Sequence, residues 1–114
     1  MIAVIFEVEP HAGAAPRYFE LAAGLRDELA AIDGFVSVER FESLASPGRY
    51  LSLSFWRDEA SVLRWRRQAM HRQAQLQGRG GLFAGYRLRV ANVLRDYGLH
   101  DRAQAPADAQ GSGP

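Results

Sequence analysis

The stretch that most limits the fold is Tyr50-Leu-Ser-Leu-Ser-Phe-Trp56. In an extended chain Leu51, Leu53 and Phe55 fall on one side, and Tyr50, Ser52, Ser54 and Trp56 on the other, because successive side chains of a strand point to opposite faces. Both sides carry apolar groups, so neither face of the sheet holding this strand is suited to water. Whatever else the chain builds must cover one face, and something must cover the second.

The remaining periodicities supply the covering layer. Residues 2–8 alternate, with Ile2, Val4, Phe6 and Val8 opposite Ala3, Ile5 and Glu7, which predicts a first strand. Pro10 to Gly13 reads as a loop, and Pro16 suits a first helical turn. Tyr18, Leu21, Leu25, Leu29 and Ile32 follow at three- and four-residue spacing, an amphipathic helix stopped by Asp33-Gly34. Phe35 to Ser43 is a second strand, joined to the third, Tyr50 to Trp56, by the turn signal Ala45-Ser-Pro-Gly48. Asp58 is an N-cap for a second helix running to about Gln77, where Gly78, Gly80 and Gly81 end it. Tyr86 to Arg95 is a fourth strand. The order β-α-β-β-α-β is the split βαβ pattern: an α+β, ferredoxin-like fold with a four-stranded antiparallel sheet. Two helices cover one face of such a sheet. The uncovered apolar face predicts a homodimer. We assign residues 1–99 to this single domain and residues 100–114 to a disordered tail, because Ala, Gln, Asp, Gly and Pro dominate there and cannot repay ordering.

Composition removes several chemistries. There is no Cys, hence no disulfide, thiolate nucleophile or Cys-ligated metal. All 14 basic residues are Arg, so no lysine can form a Schiff base. A net charge of +1 gives no field for nucleic acid. Arg64, Arg66, Arg67, Arg72 and Arg79 read as a solvated helix face, and Gly78-Arg-Gly-Gly81 follows a helix rather than a strand, the wrong context for a phosphate loop. No stretch reaches the ~20 apolar residues of a membrane span, and no signal peptide is visible, so a cytoplasmic location is expected. His11 and His100 lie in loops far apart, with no metal-binding constellation around them.

Three segments, Ile32-Asp-Gly-Phe-Val-Ser-Val-Glu39, Leu51-Ser-Leu-Ser-Phe-Trp-Arg-Asp-Glu-Ala60, and Trp65 followed by His71, resemble the antibiotic biosynthesis monooxygenase (ABM) family. The likeness covers roughly residues 1–98. It implies a ferredoxin-like protomer paired into a dimeric α+β barrel. Members include cofactor-independent oxygenases of aromatic polyketides and quinols, haem-degrading monooxygenases, and proteins without an assigned reaction. Cofactor-free members are similar at Trp56, but often have Asn where this chain has Ser52 and Tyr where it has Val62. Haem-degrading members use an Asn, a Trp and a His. Trp65 matches the Trp, Phe6 stands at the Asn, and His71 lies about one turn before the His. Neither set is complete.

From this the candidate site follows. His71, with an unperturbed pKa near 6.5, is the candidate catalytic base for deprotonating a quinol or anthrone so that the anion reduces O₂ directly. Its alternatives are a surface histidine among Arg64, Arg67 and Arg72, or a haem ligand. Trp56 and Trp65 are candidates for stacking on a flat aromatic substrate, against the alternative of core packing. Ser52 and Ser54 share the face of Trp56 and supply polar anchors. Arg89 is a candidate anchor for a carboxylate or oxyanion, against edge protection or a salt bridge to Glu39 or Glu42. The expected function is a cofactor-independent monooxygenase of a small aromatic substrate, needing no metal. A haem protein and a non-catalytic binding barrel are the alternatives. Both sides of the third strand are open as the pocket face.

Overall fold

The structure, a computed structural model, describes residues 1–77 and 81–109, and for residues 69–77 and 109 the backbone alone. Its elements are β1 (Ile2–Pro10), α1 (Ala15–Ala30), β2 (Phe35–Glu42), β3 (Tyr50–Trp56), α2 (Glu59–Gln77) and β4 (Phe83–Asn92), followed by one 3-10 turn at Ala107–Ala109. The strands form one antiparallel sheet in the order β2-β3-β1-β4. This is the ferredoxin-like arrangement that the periodicities predict.

Ladder partners fix the strand limits. β4 starts three residues before the predicted Tyr86, because Phe83 and Gly85 pair with Pro10 and Glu9 across a bulge. It ends at Asn92, opposite Ile2, with one further backbone bond from the Val93 N–H to the Met1 carbonyl at 3.0 Å. The β2–β3 hairpin closes through Gly48, whose φ of 93° suits glycine and whose N–H donates to Glu42 Oε2 at 3.2 Å. The glycines at 78 and 80, predicted to stop α2, lie outside the described residues.

Both helices lie on one face of the sheet. Leu29 of α1, the adjoining Ile32, and Val62 of α2 form one buried cluster with Val4 and Trp56. Ile2, Phe35, Val38 and Trp65 pack around it. On the opposite face Leu51, Leu53 and Phe55 of β3 are half-buried, and Phe41 beside them is exposed.

A polar pin joins the end of α1 to the start of α2. Arg57 donates from both terminal nitrogens to the two Asp33 oxygens, each at 3.0 Å, and from Nε to Asp58 at 3.1 Å. Its backbone N–H donates to the Gly34 carbonyl at 2.7 Å. Asp58 caps α2 by accepting the Ser61 N–H at 2.9 Å and the Ser61 hydroxyl. Gly34 has a φ of +94°, and a Cβ there would overlap the Ser61 side chain. The motif residues Asp33-Gly34 and Arg57-Asp58 thus set how the two halves of the fold meet.

Composition places a disordered tail from residue 100, and the first part of that segment makes contacts in the structure. Gln104 Oε1 accepts the Asp96 N–H at 2.8 Å, the Gly98 N–H bonds the Asp101 carbonyl at 2.8 Å, and Ala105 is buried. Polar and backbone bonds hold this segment, which apolar content does not register. Residues 110–114 lie outside the described part.

Two outcomes are expected. Gly34→Ala should lose at least about 1–3 kcal/mol, the cost of one strained backbone position, read as a lower urea midpoint. Asp58 is held at about 2, below its ordinary 3.8, first by the Ser61 hydroxyl, then by the Ser61 N–H and by Arg57. A depressed carboxylate contributes stability that is complete above its unfolded value and is lost as pH falls through its folded one. Asp58→Asn should therefore flatten the fall in stability between pH 3.8 and about 2, measured by urea titration at each pH. An unchanged slope would show that other carboxylates govern acid unfolding.

Candidate active site

Register builds the site as rows of side chains on the helix-facing side of the sheet. Opposed residues of antiparallel strands point to the same face. The rows are Trp56 with Ile2 and Asn92; Val38 with Ser54, Val4 and Val90; Arg40 with Ser52, Phe6 and Leu88; and Glu42 with Tyr50, Val8 and Tyr86. Trp56, Ser54 and Ser52 therefore share the side covered by helices, and this decides which face of β3 can form an enclosed site.

The first two rows are closed at β3, while their β4 members Asn92 and Val90 are exposed. Trp56 has no exposed surface. Phe35 meets it edge-on at 5.3 Å between centroids and Trp65 lies against it at 5.7 Å. Its Nε1 donates to Ser54 Oγ at 2.9 Å. No ring face is left for stacking, so Trp56 is a core residue that fixes the Ser54 hydroxyl, and Trp65 shields it. The last row carries Tyr50 and Tyr86 beside Glu42 and Val8, and rings from α1, from the start of β4 and from Phe6 of the row before gather against it. Phe6 touches Phe83 and Tyr86 at 5.9 and 5.7 Å, and Tyr18 reaches Tyr50 and Phe83 at 6.3 and 5.8 Å. Between these ends lies the Arg40–Ser52–Phe6–Leu88 row. The Ser52 hydroxyl has no hydrogen-bond partner among the described residues, and Ser52 is half-buried where Ser54 and Trp56 are buried. This is where the helix-facing surface is both polar and open.

Arg89 is not brought to this site. It opposes Ile5, so it projects from the other sheet face, and its guanidinium donates to Glu7 Oε1 at 3.0 Å. The predicted salt bridge is present, with Glu7 rather than Glu39 or Glu42. His71 sits in α2, and its side chain lies outside the described residues. Arg40 escapes the sequence reading. Its signal is its alternation with Val38, which becomes informative only once the hairpin register sets Arg40 against Ser52.

A cleft of about 280 Å3 opens elsewhere, among Met1, Val93, Leu94, Asp96, Asp101 and Gln104. None of the candidate residues lines it. Among the described residues no three His, Asp or Glu side chains converge as a metal site, and no helix is long and apolar enough to cross a membrane.

An antiparallel four-stranded sheet in the order β2-β3-β1-β4 with two helices on one face defines the class, a small ferredoxin-like α+β scaffold. The chain belongs to the antibiotic biosynthesis monooxygenase family, whose profile matches residues 1–77. It is similar to jasmonate monooxygenase ABM of Pyricularia oryzae, 52% identical over 93 residues, which is 82% of this chain and 43% of that protein. The chain thus spans less than half the length of that relative. Among solved structures it resembles the haem degrader MhuD from Mycobacterium tuberculosis with two haems in its active site, at TM-score 0.66 and 20% identity, covering 86% of this chain and all of that one. It also resembles SnoaB, a cofactor-independent oxygenase from Streptomyces nogalater, at TM-score 0.68 and 15% identity over 83% and 94% of the two chains. At such identities these likenesses concern the fold alone.

The two serines separate in their expected roles. Ser54→Ala leaves a buried Trp56 N–H without an acceptor and should cost about 1–3 kcal/mol. Ser52→Ala breaks no hydrogen bond and should cost about 0.5 kcal/mol or less. Urea midpoints of the two variants check this, and equal losses would contradict the division between a closed and an open row.

Proposed function

We propose that this chain is a cofactor-independent monooxygenase that holds a small apolar substrate of quinol or anthrone type between its helices and the Ser52–Phe6 row. The observation that carries the proposal is its 52% identity, over 82% of its length, with a monooxygenase. In this reading His71 removes a proton from the substrate. The resulting anion passes an electron to O₂, and the radical pair combines at carbon. Loss of water leaves a carbonyl: the methylene and O₂ become C=O and H₂O, so the substrate supplies every electron. Phe6, Leu88 and Tyr86 offer apolar surface, exposed at Leu88 and Tyr86, that a bound ligand would cover, leaving less water around the anion and favouring its oxidation. Ser52 supplies a hydroxyl to orient it.

Two further elements belong to the proposal. The open face, with Leu51, Leu53, Phe55 and Phe41, pairs with a second copy of the chain. The substrate class has a second reading, a jasmonate-type carboxylate, supported by the relative's name. Hydroxylating such a molecule requires two electrons from an added reductant, so the two readings differ in their stoichiometry.

The candidate haem ligand is His71 of α2, whose side chain lies outside the described residues. The helix-facing side of the sheet carries no histidine, and Phe6 packs against Phe83 and Tyr86 across its floor. No step is routed through haem.

Oxygen uptake tests the proposal. Metal-stripped protein is mixed with 1,8-dihydroxyanthrone or 1,4-dihydroxynaphthalene, with and without NADPH. Uptake without reductant that falls about 10²–10⁴-fold in His71→Ala is the expected result, the usual contribution of a general base. Undiminished uptake in the variant removes His71 from the mechanism. Uptake that requires both jasmonate and reductant moves the assignment to the second class.

A further inference from the structure

We infer that Arg40 is the anchor for a carboxylate on the substrate, so that the site selects small apolar acids over their neutral counterparts. This rests on the reading of the Ser52–Phe6 row as the substrate space.

Arg40 is half-buried, and its Nε is shut away from water with no hydrogen-bond partner among the described residues. Among the described residues it makes no ion pair. The acids nearest to it along β2 do not serve it. Glu39 opposes Leu53 and so points to the other face. Glu42 accepts the Gly48 N–H in the hairpin turn. A sheltered donor on a permanent cation is costly, and an anion paired with the guanidinium charge would offset that cost. Arg57 and Arg89, by contrast, pair with Asp33 and Asp58 and with Glu7.

Position gives the unpaired group a use. Arg40 stands on the edge strand, directly opposite Ser52, with Phe6 next in the same row and exposed Leu88 beyond. A guanidinium offers a planar fork that matches a carboxylate through two parallel bonds. With the carboxylate held at β2, the ligand's body would extend over Ser52 and Phe6, two strand spacings or roughly 10 Å away. That is the reach of a bicyclic aromatic acid, and equally of a ring bearing a short acidic chain. Both share the chemistry of an apolar body with one terminal carboxylate.

The full-length protein tests this with two matched pairs, 2-naphthoate with methyl 2-naphthoate and jasmonate with methyl jasmonate. Binding is followed by equilibrium dialysis and by the arginine Nε–H signals in 1H–15N spectra, with Arg40→Lys used to identify the Arg40 signal. At least one acid should bind about 10–100-fold more tightly than its ester, the worth of a charge-assisted bond, and should move the Arg40 signal. Arg40→Gln should abolish that preference while ester binding stays as in wild type. The skeleton that shows the preference identifies the source of the carboxylate. Equal binding of acid and ester, equal weakening of both by Arg40→Gln, or no binding of either acid overturns the assignment. Ser52→Trp, which fills the row, separates the two readings. Loss of both acid and ester binding places the anchor in the substrate space, whereas Arg40-dependent acid binding that survives Ser52→Trp keeps the anion site and overturns the row as the substrate site.

Discussion

The two-residue alternation of β3 is the constraint on which the rest depends. It sends Trp56, Ser54 and Ser52 to one side of the sheet and Leu51, Leu53 and Phe55 to the other. Trp56 is then the surface on which both helices converge, since Leu29 and Ile32 reach it from one side and Val62 and Trp65 from the other. A slip of one residue would exchange these sets and bury the wrong face. The same alternation separates two kinds of arginine. Arg40 lies under the helices beside Ser52, and Arg89 lies on the open face with Glu7.

Along the helix-facing side, the structure passes from closed to open. Trp56 and Ser54 satisfy one another and exclude a ligand. Among the described residues Ser52 and the Arg40 Nε are left without hydrogen-bond partners, bordered by aromatic rings from β1, α1 and β4. Stability resides in the first pair and binding capacity in the second, although all four residues sit on two neighbouring strands. The Asp33–Arg57–Asp58 pin keeps the first turn of α2 over the closed end, which fixes where the open end begins.

Much of the fold was legible in the sequence because it rests on local periodicity. Tyr50 to Trp56 is a strand from residue to residue, and Asp58 caps α2 as its side chain predicts. The limits that were missed depend on partners distant in sequence. Phe83 joins β4 only because Pro10 extends β1 to meet it, and Gln104 orders the segment after β4 by reaching Asp96. The site was less legible for the same reason. Alternation shows that Trp56 shares a face with the serines, but not that Phe35 and Trp65 seal it. It shows two possible faces for Arg89 and no special standing for Arg40, whose importance lies in the partner it lacks.

The most direct measurement is a crystal structure of the protein grown without oxygen in the presence of 1,4-dihydroxy-2-naphthoate. The expected density lies on the helix-facing side between Ser52 and Phe6, with the carboxylate on Arg40. Density on the open sheet face beside Arg89, or in the cleft between Met1 and Gln104, would contradict the placement of the site.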